Sequence, residues 1–97
     1  MTINEDDNPG IDLHFPVRVD TAWCQTHEPE VWSRVQQCHG LVTFDMEGVT
    51  YICSAFLRLC LRCGKQLGSE RFRIRRVSAP VKKVFKIAGF DQLLAIQ

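Results

Sequence analysis

Ninety-seven residues leave room for one domain with one modest core. A composition of 45% apolar and 24% charged residues, with a formal net charge of +1, is that of a soluble globular chain and excludes collagen-like or disordered sequence. No apolar run approaches the roughly 18 residues of a membrane span, and five cysteines without a secretory signal argue for reduced, buried thiols in a cytoplasmic protein rather than a disulfide framework.

In chain order, residues 1–10 read as a flexible lead-in, polar over Asn4 to Asn8 and closed by the turn pair Pro9-Gly10. Ile11 to Phe15 alternates apolar and polar, the period of a half-buried strand, and Pro16 ends it or confines it to an edge. Val17 to Asp20 alternates again as a second short strand. Thr21 to His27 reads as a connection. Glu28-Pro29-Glu30 reads as a helix start, since proline is tolerated at the first helical position and acids suit the positive end of the dipole. Val31, Trp32, Val35 and Cys38 form its apolar stripe, and Gly40 stops it.

Leu41 to Phe44 and Val49 to Ile52 are strand formers. Helical periodicity then runs from Ser54 to Leu67. Phe56, Leu59, Cys60, Cys63 and Leu67 share one face, and Arg58, Arg62 and Lys65 form a basic stripe opposite. Gly68 closes the helix. Glu70 to Val77 alternates, with Phe72 and Ile74 on one side and Arg71, Arg73 and Arg75 on the other. Ser78 is placed to cap a last helix with Pro80 just inside it. That helix would bury Val81, Val84, Phe85 and Ala88 and wet Lys82, Lys83 and Lys86. Gly89 ends it, and Leu93 to Ile96 is a final short strand or packed tail. Strands alternating with helices predict parallel pairs.

Charge is unevenly distributed. The first fifty residues hold nine carboxylates and two bases, a net −7; the rest hold ten bases and two carboxylates, a net +8. Two halves of one domain with such charges are read as complementing each other, within the fold or in a homodimer.

The segment Asp45-Met46-Glu47-Gly48-Val49-Thr50-Tyr51-Ile52, followed by a helix, resembles the central motif of STAS domains, the family of bacterial anti-sigma-factor antagonists. There the pattern runs roughly D-L-S-G-V-T-x-I-D-S-[ST]-G-L. Ser78 to Phe85 and Ala88-Gly89-Phe90-Asp91 resemble the family's last helix and its exit, so the resemblance spans Leu41 to Ile96. It implies a single domain over residues 1–97: an α/β, STAS-like sandwich with a mixed β-sheet of about four to five strands and three helices packed against it.

The resemblance also implies a site. In phosphorylated members a partner kinase modifies the second Ser or Thr of the motif, and that position is Ala55 here. The family Asp is matched by Cys53, the preceding Ser by Ser54 and the Gly by the bulky Phe56. The usual acceptor hydroxyl is therefore missing. Ser54 is a candidate phosphoacceptor, but it reads first as the helix N-cap, worth about 1 kcal/mol. Partner docking is expected at Cys53, Ser54, Ala55 and Phe56 and on the helix face carrying Arg58 and Arg62.

Other chemistries are weaker. Cys60-x-x-Cys63 has metal or redox spacing, with Cys24, His27, Cys38 and His39 as further ligands, but it lies mid-helix on the apolar face, where core packing accounts for it. The basic set from Arg71 to Lys86 carries no interleaved aromatic and no nucleic-acid motif. No phosphate loop, nucleophile elbow or paired carboxylate marks an enzyme. The expectation is a non-enzymatic, cofactor-free docking module for an anti-sigma factor or serine-kinase-like protein. The alternative is a cytoplasmic STAS subunit of an ABC-type, lipid-trafficking transporter, and a homodimer is the third.

Overall fold

Val42-Thr43-Phe44-Asp45 is buried at all four positions, the pattern of a strand covered on both faces and both edges. In a computed structural model describing residues 10–97, it is the centre from which the rest is arranged. The lead-in expected over residues 1–10 lies outside the described residues, apart from Gly10. The elements are β1 (Ile11–His14), β2 (Arg18–Val19), α1 (Thr21–Gln37), β3 (Val42–Asp45), β4 (Tyr51–Ile52), α2 (Ser54–Leu67), β5 (Phe72–Arg75), α3 (Ala79–Ile87), a 3-10 turn (Phe90–Gln92) and β6 (Ala95–Ile96).

The main sheet has the order β1-β3-β5-β6, and β2 pairs with β4 in a separate two-stranded ribbon; each of these pairs is parallel. Register divides the sheet into two faces. Leu13, Phe44, Ile74 and Ile96 form one cross-strand row, with Ile11, Val42 and Phe72 beside it on the same side. The opposite face carries Asp12, Thr43 and Arg73, and beyond them His14, Asp45 and Arg75. The apolar face is covered by an aromatic cluster. Phe44 meets Phe72 edge-on at 4.8 Å, Phe15 at 4.9 Å and Phe56 of α2 at 6.0 Å.

Gly10 is required where β1 begins. Its φ is +98° and a Cβ there would collide with the backbone of Leu41, whose carbonyl accepts from the Ile11 N–H at 2.9 Å. Inside α2, Gly64 leaves the space that the side chain of Leu94 fills, which seats the C-terminal tail against the helix.

Three local expectations are corrected. First, α1 begins at Thr21, a full two turns before Glu28, so Thr21 to His27 is helix. Asp20 caps it, its Oδ1 accepting from Trp23 N–H at 2.9 Å. Pro29 consequently sits mid-helix, where it cannot donate to the Gln25 carbonyl. Both residues are on the solvent side, so the freed carbonyl is not buried, while Cys24, Val31 and Val35 hold the opposite face in the core. Second, Ser78 precedes α3 but does not cap it; its hydroxyl donates instead to the Val49 carbonyl at 3.0 Å. Third, α3 buries only Val81 and Phe85, and Val84 and Ala88 are exposed. Its seam is narrow because it packs on β4 and the 3-10 turn rather than across the sheet.

The acidic and basic halves meet within the chain. Among the described residues, Glu28 pairs with Arg62 (3.5 Å), Asp45 with Arg76 (3.7 Å) and Glu47 with Arg76 (2.9 Å).

Candidate functional site

Parallel strands bring their carboxyl ends to one edge, the usual place for a site in α/β folds. Here that edge is formed by the turn after β3, by β4 and by the first turn of α2. The turn is held from several directions. Val49 N–H donates to the Met46 carbonyl (3.0 Å), and Asp45 Oδ1 accepts from Glu47 N–H (3.1 Å). Arg76 reaches in from the end of β5 to Asp45 and Glu47. It does so from a left-handed backbone (φ 58°), a conformation that costs a non-glycine residue roughly 1 kcal/mol or more. Ser78 holds Val49 from α3. On the other side, Thr50 N–H donates to the Val17 carbonyl (2.8 Å) and Cys53 N–H to the Val19 carbonyl (3.1 Å).

That last bond decides where the helix starts. Cys53 is extended (φ −107°, ψ 172°) and tied to β2, while its carbonyl accepts from Leu57 N–H at 3.2 Å. Cys53 is therefore the N-cap residue, without a side-chain cap bond, and Ser54 is already the first helical residue. The reading of Ser54 as N-cap is corrected: its hydroxyl is not used by the helix, and the residue is exposed.

Of the residues singled out from the sequence, Ser54 and Arg58 are exposed and Ala55 is half-buried. Cys53 is buried, and Phe56 has no exposed surface at all; it packs on Phe15 at 5.1 Å. Phe56 is a core residue and offers a partner nothing. Arg62 is exposed but committed: its guanidinium lies 3.9 Å over the Trp32 ring and 3.5 Å from Glu28, joining α2 to α1. The surface beside Ser54 includes residues that sequence reasoning missed. Val17 and Tyr51 are 59% and 41% exposed, and Arg18 stacks on Tyr51 at 4.4 Å. The alternation of β4, with Ile52 inward and Tyr51 outward, was the available signal.

The cysteines lie together across α1 and α2. Cys24 and Cys53 are in contact, Sγ to Sγ 3.8 Å. Burial, with the neighbouring Cys53 and the carboxylates of Glu28 and Asp20, pushes the Cys24 thiol up to about 12. Burial acts the same way on Cys53, but the amides of Phe56 and Ala55, the Cys24 thiol and the Thr21 hydroxyl outweigh it, so the Cys53 thiol is lowered. Cys60 and Cys63 are fully buried and raised, chiefly by desolvation. Among the described residues, no group of three or more His, Cys, Asp or Glu side chains is placed to hold a metal ion.

A shallow cavity of about 230 Å³ lies between the end of β1 and α1, lined by His14, Phe15, Trp23, His27, Glu30 and Arg34 among others. It is smaller than the roughly 300–1,000 Å³ of small-molecule sites. Among the described residues, no helix is long and apolar enough to cross a membrane.

The chain has a STAS-like α/β fold. It is similar to an anti-sigma-factor antagonist (STAS) domain protein from Planctomyces limnophilus, with a TM-score of 0.79 at 20% identity, covering 93% of this chain and 82% of that one. It is also similar to the anti-sigma factor antagonist SpoIIAA in its unphosphorylated form, with a TM-score of 0.73 at 15% identity, covering 93% and 81%. No protein-family model matches the sequence, and no curated protein matches it.

Proposed function

We propose that this chain is a non-enzymatic, cytoplasmic docking module that binds a serine-kinase-type anti-sigma factor, as an anti-sigma-factor antagonist does, and that it is not switched at the usual acceptor position. The observation that carries this reading is the first turn of α2. In a fold shared with SpoIIAA, that turn presents Ser54 and part of Ala55 beside exposed Val17, Tyr51 and Arg58, on a backbone pinned to β2. An apolar patch with cationic neighbours suits a complementary protein surface. The phosphate step needs a hydroxyl at the helix start, where a charge of about −2 meets free amides yet repels a fitted partner. Ala55 has none, and Ser54 is the only hydroxyl of that first turn.

The test is calorimetric titration with the serine-kinase anti-sigma factor of the same organism. Binding is expected, and Arg58→Glu should weaken it by about tenfold, or 1.4 kcal/mol. With ATP and that kinase, Ala55→Ser should acquire a phosphate that the unaltered chain does not. Absence of binding would sink the reading; phosphorylation of the unaltered chain at Ser54 would overturn the unswitched part. A second reading, a cytoplasmic STAS subunit of an ABC-type, lipid-trafficking transporter, needs no phosphate switch, so Ala55 does not count against it. Co-purification of transporter subunits from native cells would support it.

A further inference from the structure

We propose that Cys24 and Cys53 form a peroxide-oxidised, reversible disulfide joining the first turns of α1 and α2. Their sulfurs are 3.8 Å apart although the residues are 29 apart in sequence. The contact is set by backbone rather than by flexible side chains. Cys53 N–H is bonded to the Val19 carbonyl (3.1 Å) and Cys24 N–H to the Asp20 carbonyl (3.0 Å), so both cysteines hang from adjacent residues. A disulfide requires about 2.05 Å between the sulfurs, so closure asks for roughly 1.8 Å of approach.

The two thiols have different parts. Cys53 retains 7% exposure and adjoins exposed Ser54, whereas Cys24 retains 1%. A small oxidant therefore meets Cys53 first. Cys53 is also the more acidic of the two, being at a helix start with Cys24 able to donate to it. Its thiolate attacks one oxygen of a hydroperoxide. The O–O bond breaks, the departing hydroxide or alkoxide takes a proton, and a sulfenic acid is left on Cys53. Cys24 then attacks the Cys53 sulfur, the S–O bond breaks, and the Cys24 proton leaves with the hydroxide as water. Two thiols thus give up two electrons, and the peroxide is reduced to two waters, or to one water and an alcohol. A dithiol reductant reverses the bond by exchange. Transient disulfides of this kind are the ones compatible with a reducing compartment. The remaining thiols are poorer candidates. Cys60 and Cys63 are fully buried on one helix, and Cys38 donates to the Leu41 carbonyl at the far end of α1.

The test uses the reduced whole chain and hydrogen peroxide, followed by alkylation in denaturant and tryptic mapping. Two of the five thiols should disappear, and one cross-link should join peptide 19–34, holding Cys24, to peptide 35–58, holding Cys53 and Cys38. Dithiothreitol should restore all five. The cross-link should vanish in C24S and in C53S and persist in C38S. Should a variant fold poorly, fragmentation of the cross-linked pair from the unaltered chain decides, because the alkyl label must then sit on Cys38 and not on Cys53. Five intact thiols, a cross-link through Cys38, Cys60 or Cys63, or a disulfide between two chains would each overturn the proposal.

Discussion

Replacing Phe56 by Ala separates a core role from a docking role. The ring is wholly buried, 5.1 Å from Phe15 and 6.0 Å from Phe44, so its removal leaves a void against the apolar face of the sheet. Truncations of this kind cost about 3–5 kcal/mol, from lost transfer energy and the cavity together. A domain of 97 residues has a total stability of only about 5–15 kcal/mol, so the variant should lose about a fifth of it or more. At roughly 4–8 °C per kcal/mol, its melting temperature should fall by about 12 °C at the very least. Urea unfolding followed by the fluorescence of Trp23 and Trp32 provides the assay, with Ile87→Ala as control. Ile87 is 77% exposed and should change stability by less than about 0.5 kcal/mol. A loss below about 1 kcal/mol for Phe56→Ala would refute the packing argument. Weakened partner binding at unchanged stability would make Phe56 an interface residue after all.

Pro29→Ala should stabilise the chain by about 1–2 kcal/mol, since alanine restores the donor to the Gln25 carbonyl and has the higher helix propensity, offset in part by a freer unfolded chain; a neutral or lower urea midpoint would contradict this. Arg71→Ala should cost about 1.5–3 kcal/mol, because the guanidinium donates to the Cys38 carbonyl at 2.7 Å and the Gly40 carbonyl at 3.1 Å. Arg71→Lys should recover only part of that loss, as one ammonium cannot reproduce the fork, and hydrogen exchange over residues 38–41 should rise in step. Alkali should unfold the chain through its buried thiols. Burial holds Cys63 at about 12, up from an ordinary 9.0, so its stabilisation is complete below about pH 9 and is lost as pH rises toward 12. The slope is up to about 1.4 kcal/mol per pH unit for each such thiol. Unfolding midpoints of the unaltered chain and Cys63→Ala should therefore converge above pH 9, and parallel curves would refute the assignment.

Helix α2 was legible because Phe56, Leu59, Cys60 and Cys63 repeat at helical spacing and Gly68 follows, though its N-cap is Cys53 rather than Ser54. Strand β5 was legible from the alternation of Phe72 and Ile74 with arginines. Where a single local signal competed with tertiary packing, reading failed. The Glu28-Pro29 pair looks like a helix start, yet the Asp20 cap and the burial of Cys24 extend α1 backwards through it. Ser78 has the right type and place for a cap, but its hydroxyl finds Val49 across the fold. At the candidate site, the presence of Ala55 beside Ser54 was visible in the sequence, whereas the Cys24–Cys53 contact was not. It arises because adjacent residues, Val19 and Asp20, each anchor one cysteine, a fact of topology rather than of spacing.

The strand order β1-β3-β5-β6 is also the order of synthesis. Each strand of the main sheet joins the edge left by its predecessor, and none is inserted between two already paired. As the chain leaves the ribosome, the sheet can therefore be extended in one direction without reopening a formed ladder, with α1 and α2 available to cover each addition. The β2–β4 ribbon closes as soon as Ile52 has emerged. The pinned turn that presents Ser54 is thus framed from one side before β5, with its neighbour Arg76, arrives to frame it from the other.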